Sequence, residues 1–372
     1  MKLKDFELER YFAKHEFSAP YLLCCSDCES FTVKEILDME GDVAFESLQS
    51  LWLGYTESKG NPLLREEISN IYQTTDSDDV LVTSGAEEAI FIFMNAMLSE
   101  NDHIIVQYPC YQSLFEIARS IGCDITKWEL REENAWEPDL NFLESSLQEN
   151  TRAIIINTPH NPTGYLMSHD ALASLIQLAR NKEILLFSDE VYRFLEYSQT
   201  DHLAAACDLY ENAVSLGVMS KSYGLPGLRI GWLSTKNRGI YNKMAAFKDY
   251  TSICNSAPSE FIALQALKHR ENIVRRNLNI INQNLSILDS FFVSYGEYFS
   301  WIRPKAGPIA FPRINLKTGA EEFCMDLLNK KGVLLLPGNN YDFGDRSFRI
   351  GFGRKNMPLC IDKLKEYIKE SL

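Results

Sequence analysis

A lone lysine, Lys221, precedes Arg229 by eight residues in Ser220-Lys221-Ser222-Tyr223-Gly224-Leu225-Pro226-Gly227-Leu228-Arg229-Ile230-Gly231. The surroundings are too apolar and glycine-rich for an ordinary charged surface. A lysine amine attacks an aldehyde only where part of it is deprotonated, and desolvation moves its pKa in that direction. Two upstream segments, His160-Asn161-Pro162-Thr163-Gly164 and Ser188-Asp189-Glu190-Val191-Tyr192, bring a carboxamide, two carboxylates and a phenol. Together these groups match the needs of a lysine-bound aldehyde cofactor, pyridoxal 5'-phosphate. Its ring withdraws electrons best with the nitrogen protonated, so a carboxylate belongs beside that nitrogen. Asp189 is expected there, because a buried acid at the end of an apolar run needs a partner; Glu190 is the second candidate. Tyr192 and Asn161 are expected as ligands of the phenolic oxygen.

A phosphate dianion calls for backbone N–H groups at a helix start and an arginine. Thr83-Ser84-Gly85-Ala86-Glu87 breaks from an apolar run into a helical pattern and offers the amides of Gly85, Ala86 and Glu87, provided the Glu87 carboxylate turns away. Arg229 is expected to clamp the same phosphate, with the hydroxyls of Ser220 and Ser222 as further donors. Tyr111, in Gln107-Tyr108-Pro109-Cys110-Tyr111, is expected to stack on the ring. Arg349, flanked by apolar residues in Phe348-Arg349-Ile350-Gly351, is a charge in a half-buried strand. Its planar fork suits a substrate carboxylate, and Arg349 and Asn161 are the expected substrate-side residues.

These groups must be carried by a scaffold. From about residue 78 to 235 short β-rich runs alternate with helical stretches: 79–83, 103–106, 153–157, 184–188, 213–216 and 229–233. Nearly continuous apolar strands imply helices on both faces, and the motifs fall just past strand ends, where open α/β sheets bind ligands. The expected fold is α/β, a large domain with a mostly parallel sheet of the seven-stranded type flanked by helices, plus a smaller α+β domain. Residues 45–257 are assigned to the large domain, and 1–44 with 258–372 to the small one, 258–292 forming an interdomain helix.

With 372 residues and 45% hydrophobic content, the chain exceeds the roughly 250–300 residues at which single cores stop growing. The net charge of −14, with 37 scattered Lys and Arg, offers no basic face to a nucleic acid. The charged first ten residues lack the apolar run of a signal peptide, and no segment holds about 18 consecutive apolar residues, so a cytoplasmic protein is expected. Nine cysteines at irregular spacing point to reduced thiols. The Cys25-x-x-Cys28 pair has no second ligand pair, and no metal is expected there.

Taken in order, these segments resemble the class I/II aminotransferases, the fold-type I family of pyridoxal-phosphate enzymes, from about Trp52 to Arg354. The resemblance implies Lys221 as the Schiff-base lysine and proton-transfer base, Asp189 as the pyridinium partner, and Tyr192 and Asn161 as phenolic-oxygen ligands. It implies Arg229 on the phosphate, Tyr111 stacked on the ring, and Arg349 on the substrate α-carboxylate. Leu53-Gly54-Tyr55-Thr56 with Gly60-Asn61-Pro62-Leu63-Leu64-Arg65 is similar to the family segment whose tyrosine reaches the partner subunit's phosphate, which implies a homodimer with Tyr55 shared between sites. Val218 stands where many members carry serine or glycine, leaving Ser220 or Ser222 to serve the phosphate. Residues 249–258 hold no arginine, where aspartate-specific relatives keep a second carboxylate clamp. The expected reaction moves an amino group between an L-amino acid and a 2-oxo acid. The alternative is a lyase or cyclase on the same scaffold, similar to capreomycidine synthase, a relative that cyclises a hydroxylated arginine; Asp27, Glu29, Asp249 and Glu260 are the acids expected near the mouth for such a basic substrate.

Overall fold

The computed structural model describes residues 2–372; Met1, first residue of the expected small-domain segment, lies outside the described residues. Seven strands form the central sheet: β1 (Val80–Thr83), β2 (His103–Tyr108), β3 (Asp124–Glu129), β4 (Thr151–Asn157), β5 (Leu185–Asp189), β6 (Ala213–Val218) and β7 (Gly231–Ser234). Their order is β1-β7-β6-β5-β4-β2-β3. The five strands from β6 to β3 run parallel, and β7 is antiparallel to both neighbours.

Alternate residues of a strand face opposite sides, and both sides are covered here. Ile155 of β4 joins one apolar cluster, Ile154 and Ile156 another. Helix Ala86–Met97 packs on the first side and helix His169–Asn181 on the second. A fully buried isoleucine contributes about 1.5–3 kcal/mol, which is why the inner strands are near-continuous runs of branched residues. β3 is the exception. It lies at the sheet edge with Asp124 and Glu129 exposed, and its sequence, Asp-Ile-Thr-Lys-Trp-Glu, lacks the continuous apolar run by which the other six were expected. A second difference concerns 229–233: the strand begins only at Gly231, because Arg229 adopts φ 53°.

The parallel strands finish together. Asn157 pairs with Asp189 in register, so the segments after β2, β4, β5 and β6 emerge side by side at one edge. Above that edge, helix α1 (Glu7–His15) leads to Tyr21–Leu22, which pairs in parallel with Val333–Leu334. Phe348–Gly351 lies between Ile309–Ala310 and Leu336–Pro337.

The helix expected over 258–292 is two helices, Ala257–Lys268 and α2 (Arg270–Ser294). Between them His269 leaves helical geometry at φ −107°, ψ 18°, and its Nε2 lies 3.0 Å from the Glu40 carboxylate. The first helix packs on Pro62–Ser69, beside the sheet. Among the described residues no helix is long and apolar enough to cross a membrane.

Candidate active site

A cavity of about 450 Å³ opens at the carboxyl edge of the sheet, within the range typical of small-molecule sites. Lys221 enters it from the loop after β6. That loop is cinched by Met219 N to Ile230 O (3.0 Å) and Leu225 N to Met219 O (2.9 Å). Gly224 sits at φ +64°, and a Cβ there would meet Glu29 O at 2.6 Å, so the turn requires glycine. Lys221 Nζ donates to Ser26 Oγ at 2.9 Å. Burial lowers its pKa, opposed by the carboxylates of Asp27 and Asp189 and assisted by Arg349.

Asp189 ends β5 and faces the same cavity. Val191 N donates to its Oδ1 at 3.2 Å, and among the described residues no cationic side chain forms an ion pair with it. Burial pushes its carboxyl up to about 7 against the pull of that N–H and of Lys221. The neighbouring Glu190 turns to the other face: Oε1 accepts from Ala206 N (2.9 Å) and Ser215 Oγ (2.8 Å), and Arg193 lies 3.6 Å from Oε2. Glu190 is thus removed from the ring-nitrogen role by its own fold contacts.

Asn161 and Arg349 meet across the cavity, Arg349 Nη1 lying 3.3 Å from Asn161 Oδ1. Arg349 Nε donates to Cys24 O at 3.0 Å, and among the described residues no carboxylate pairs with this buried arginine. Tyr192 is buried, its hydroxyl makes no hydrogen bond among the described residues, and that burial pushes its pKa up.

At the corner expected to hold the phosphate, Gly85 caps the helix Ala86–Met97. Its own N–H donates to Thr83 O at 2.9 Å, so the expected three-amide cradle reduces to Ala86 and Glu87. Gly85 instead contributes by lacking a side chain: at φ +86° a Cβ would come within 2.8 Å of Arg229 Nη2. Ser220 lines the cavity, whereas Ser222 donates to Val191 O at 3.1 Å and does not, so of the two hydroxyls only Ser220 remains. Glu87 accepts from Ser113 Oγ at 3.1 Å, and burial pushes its carboxyl up to about 7. Partial protonation near neutral pH reduces its repulsion of a phosphate. Tyr111 lines the cavity, its hydroxyl donating to Glu9 Oε1 at 2.9 Å. Tyr55 is 86% exposed and does not line this chain's cavity.

Of the four acids expected at the mouth only Asp27 lines the cavity, and it is engaged by Arg354 through bonds of 2.9 and 2.8 Å. Glu29 accepts from Lys355 N, Glu260 is buried against Asn61 N, and Asp249 is exposed at the end of helix Arg238–Lys248. Besides Asp27, Glu87 and Asp189, the acids that line the cavity are Glu9 and Glu16. With Phe12 they sit three and four residues apart, one face of a helix, a spacing readable in the sequence but passed over. Tyr341, whose hydroxyl lies between Asn161 and Arg349, carries no local signal that would have found it.

A model of the family described as aminotransferase class I and II matches residues 21–359. The chain belongs to that family. A PLP-dependent aminotransferase of Streptococcus suis has a solved structure 32% identical in sequence, with a TM-score of 0.94 over 100% of this chain and 99% of that one. The PLP-dependent cyclase OrfR gives 27% and 0.90, again over 100% and 99%. Among curated proteins, capreomycidine synthase of Streptomyces vinaceus is 30% identical over 94% of this chain and 88% of its own length. The aspartate aminotransferase of Sulfurisphaera tokodaii is 25% identical over 88% and 85%. This aminotransferase-type scaffold implies a pyridoxal phosphate site built on a Schiff-base lysine. The described residues fit that group: among them a phenol hydroxyl makes no hydrogen bond, a buried carboxyl has no cation, and a glycine lies under an arginine at a helix start.

Proposed function

We propose that the protein is a pyridoxal-phosphate aminotransferase that moves an amino group between an L-amino acid and a 2-oxo acid. The observation that carries this reading is a buried lysine in one cavity with an acid that has no cation and an arginine that has no carboxylate among the described residues. When bound, the cofactor supplies an electron-withdrawing ring that stabilises negative charge on the substrate's α-carbon. Asp189 would hold a proton at the ring nitrogen, and Tyr192 and Asn161 would hold the phenolic oxygen. Ala86, Glu87, Ser220 and Arg229 would hold the phosphate, with Tyr111 against the ring. Arg349 would anchor the substrate carboxylate, leaving the Cα proton to Lys221 Nζ, whose pKa burial lowers, the direction a general base needs. The exposed Trp52 (78%), Leu53 (76%) and Tyr250 (91%) support a homodimer in which Tyr55 reaches the partner's phosphate site.

A second reading, elimination or cyclisation of a basic amino acid, is favoured by the charges left over. Once Asp27 is paired with Arg354 and Arg349 is given to a carboxylate, the substrate side of the cavity keeps Glu9 and Glu16 and no cation. The similarity to capreomycidine synthase points the same way.

Near-ultraviolet and visible absorbance of the protein loaded with cofactor, with each L-amino acid added singly, separates the readings. Transamination converts the lysine-linked band to the amine form without an acceptor. A lyase or cyclase returns the original band and gives product with no amino acceptor present. Lys221→Ala should lose the band and lower turnover by about 100- to 10,000-fold or more; an unchanged band would sink both readings.

A further inference from the structure

Tyr341 is buried, and its hydroxyl is a junction. Arg349 Nη1 donates to it at 2.6 Å, and it donates to Asn161 Oδ1 at 2.9 Å. Proton counting fixes these directions. A guanidinium only donates, so the Asn161 atom facing Arg349 is the oxygen, and the phenol that accepts from Arg349 has its proton free for that same oxygen. The amide is thereby locked with Oδ1 turned to Tyr341 and Arg349, leaving the Nδ2 protons for the cavity; Nδ2 makes no hydrogen bond among the described residues. Three of the five protons of Arg349 are also used, one on Cys24 O and two on Tyr341 and Asn161. The two on Nη2 remain. Tyr341 is itself held: Tyr108 Oη donates to its carbonyl at 2.7 Å, and the Phe311 ring stands edge-on at 5.8 Å.

We infer that Tyr341 is a positioning residue that couples the carboxylate grip to the cofactor grip, orienting Arg349 for the substrate and Asn161 as a donor toward the cofactor's phenolic oxygen. Removing one hydroxyl then disturbs both functions while touching neither ligand. The inference rests on the cofactor site and not on which of the two reactions follows.

The test is Tyr341→Phe in cofactor-loaded protein, with two probes that carry no α-proton to lose: α-aminoisobutyrate, with amine and carboxylate, and tert-butylamine, with the amine alone. The dissociation constant for α-aminoisobutyrate should rise about tenfold, the loss of one charge-assisted hydrogen bond, with tert-butylamine unchanged. The pH midpoint of the lysine-linked visible band should rise by about 0.5–1 unit, since a donor on the phenolic oxygen favours the form in which the Lys221 nitrogen has given up its proton. In a cycle with Asn161→Ala, the midpoint shifts should be non-additive. Equal weakening of both probes, or additive shifts, would mean a merely structural role and overturn the inference; so would unchanged constants. Wild-type protein lacking a band that Lys221→Ala removes would overturn it from below, by a readout separate from the Tyr341 comparison.

Discussion

Asp189 and Glu190 are adjacent, equally buried at 6% exposure, and opposite in circumstance. Glu190 is held by a backbone N–H, a serine hydroxyl and Arg193. Asp189 has one backbone N–H and no cation. A fold has every energetic reason to partner a buried acid, and the acid left short is the one to which the proposed function gives a partner from outside. The pattern repeats at Ser222, bonded to Val191 O, and Ser220, which faces the cavity.

The strongest way to break this comparison is paired substitution. Asp189→Asn should lower kcat on the order of 100-fold, the worth of a charged hydrogen-bonded pair, while leaving the thermal midpoint unchanged or higher. Glu190→Gln should reverse this, costing about 1–3 kcal/mol of stability with little change in kcat. Equal effects on kcat would erase the distinction. Arg349→Lys comes next. A point charge replaces the planar fork, and KM for the amino donor should rise about tenfold with a smaller change in kcat, read from steady-state kinetics.

The pH dependence of stability sharpens the same contrast. Asp189 is pushed up to about 7 in the folded chain, against about 3.9 unfolded. Between those values the folded form holds a proton that the unfolded form lacks, so stability falls as pH rises through the window and levels off above it. Glu87, also about 7, acts in the same direction. Calorimetry on cofactor-free protein should therefore show a lower thermal midpoint at pH 8 than at pH 5, a slope reduced by Asp189→Asn. Loading the cofactor, which on the proposed reading gives Asp189 a cation, should flatten it. The smallest effect expected is at the serines: Ser222→Ala should cost about 1 kcal/mol of stability without changing cofactor affinity, and Ser220→Ala should weaken cofactor binding a few-fold without the stability loss.

What the sequence disclosed follows from range. The buried strands announce themselves because two covered faces demand continuous apolar runs; polar β3 at the edge faces no such demand and passed unnoticed. The turn motifs around Lys221, Asp189 and Asn161 are local, and the structure brings all three onto one cavity. The contacts that complete the site are not local: Tyr341 to Asn161 spans 180 residues, and Arg349 to Cys24 spans 325. Four acids were placed at the mouth by chain position, and three lie elsewhere, because proximity there depends on how α1 crosses the cavity. Glu260 instead serves the backbone of Asn61.

The pairing of Tyr21–Leu22 with Val333–Leu334 has a consequence in time. During synthesis the seven strands between 80 and 234 emerge early and hold most of their sheet contacts among themselves. The wall made by α1 and the anchor of Arg349 on Cys24 O must wait until residues 333–349 have left the ribosome. On the proposed reading, a nascent chain therefore has its reactive amine in place well before it has a means of gripping a carboxylate, and substrate selection arrives only after the sheet.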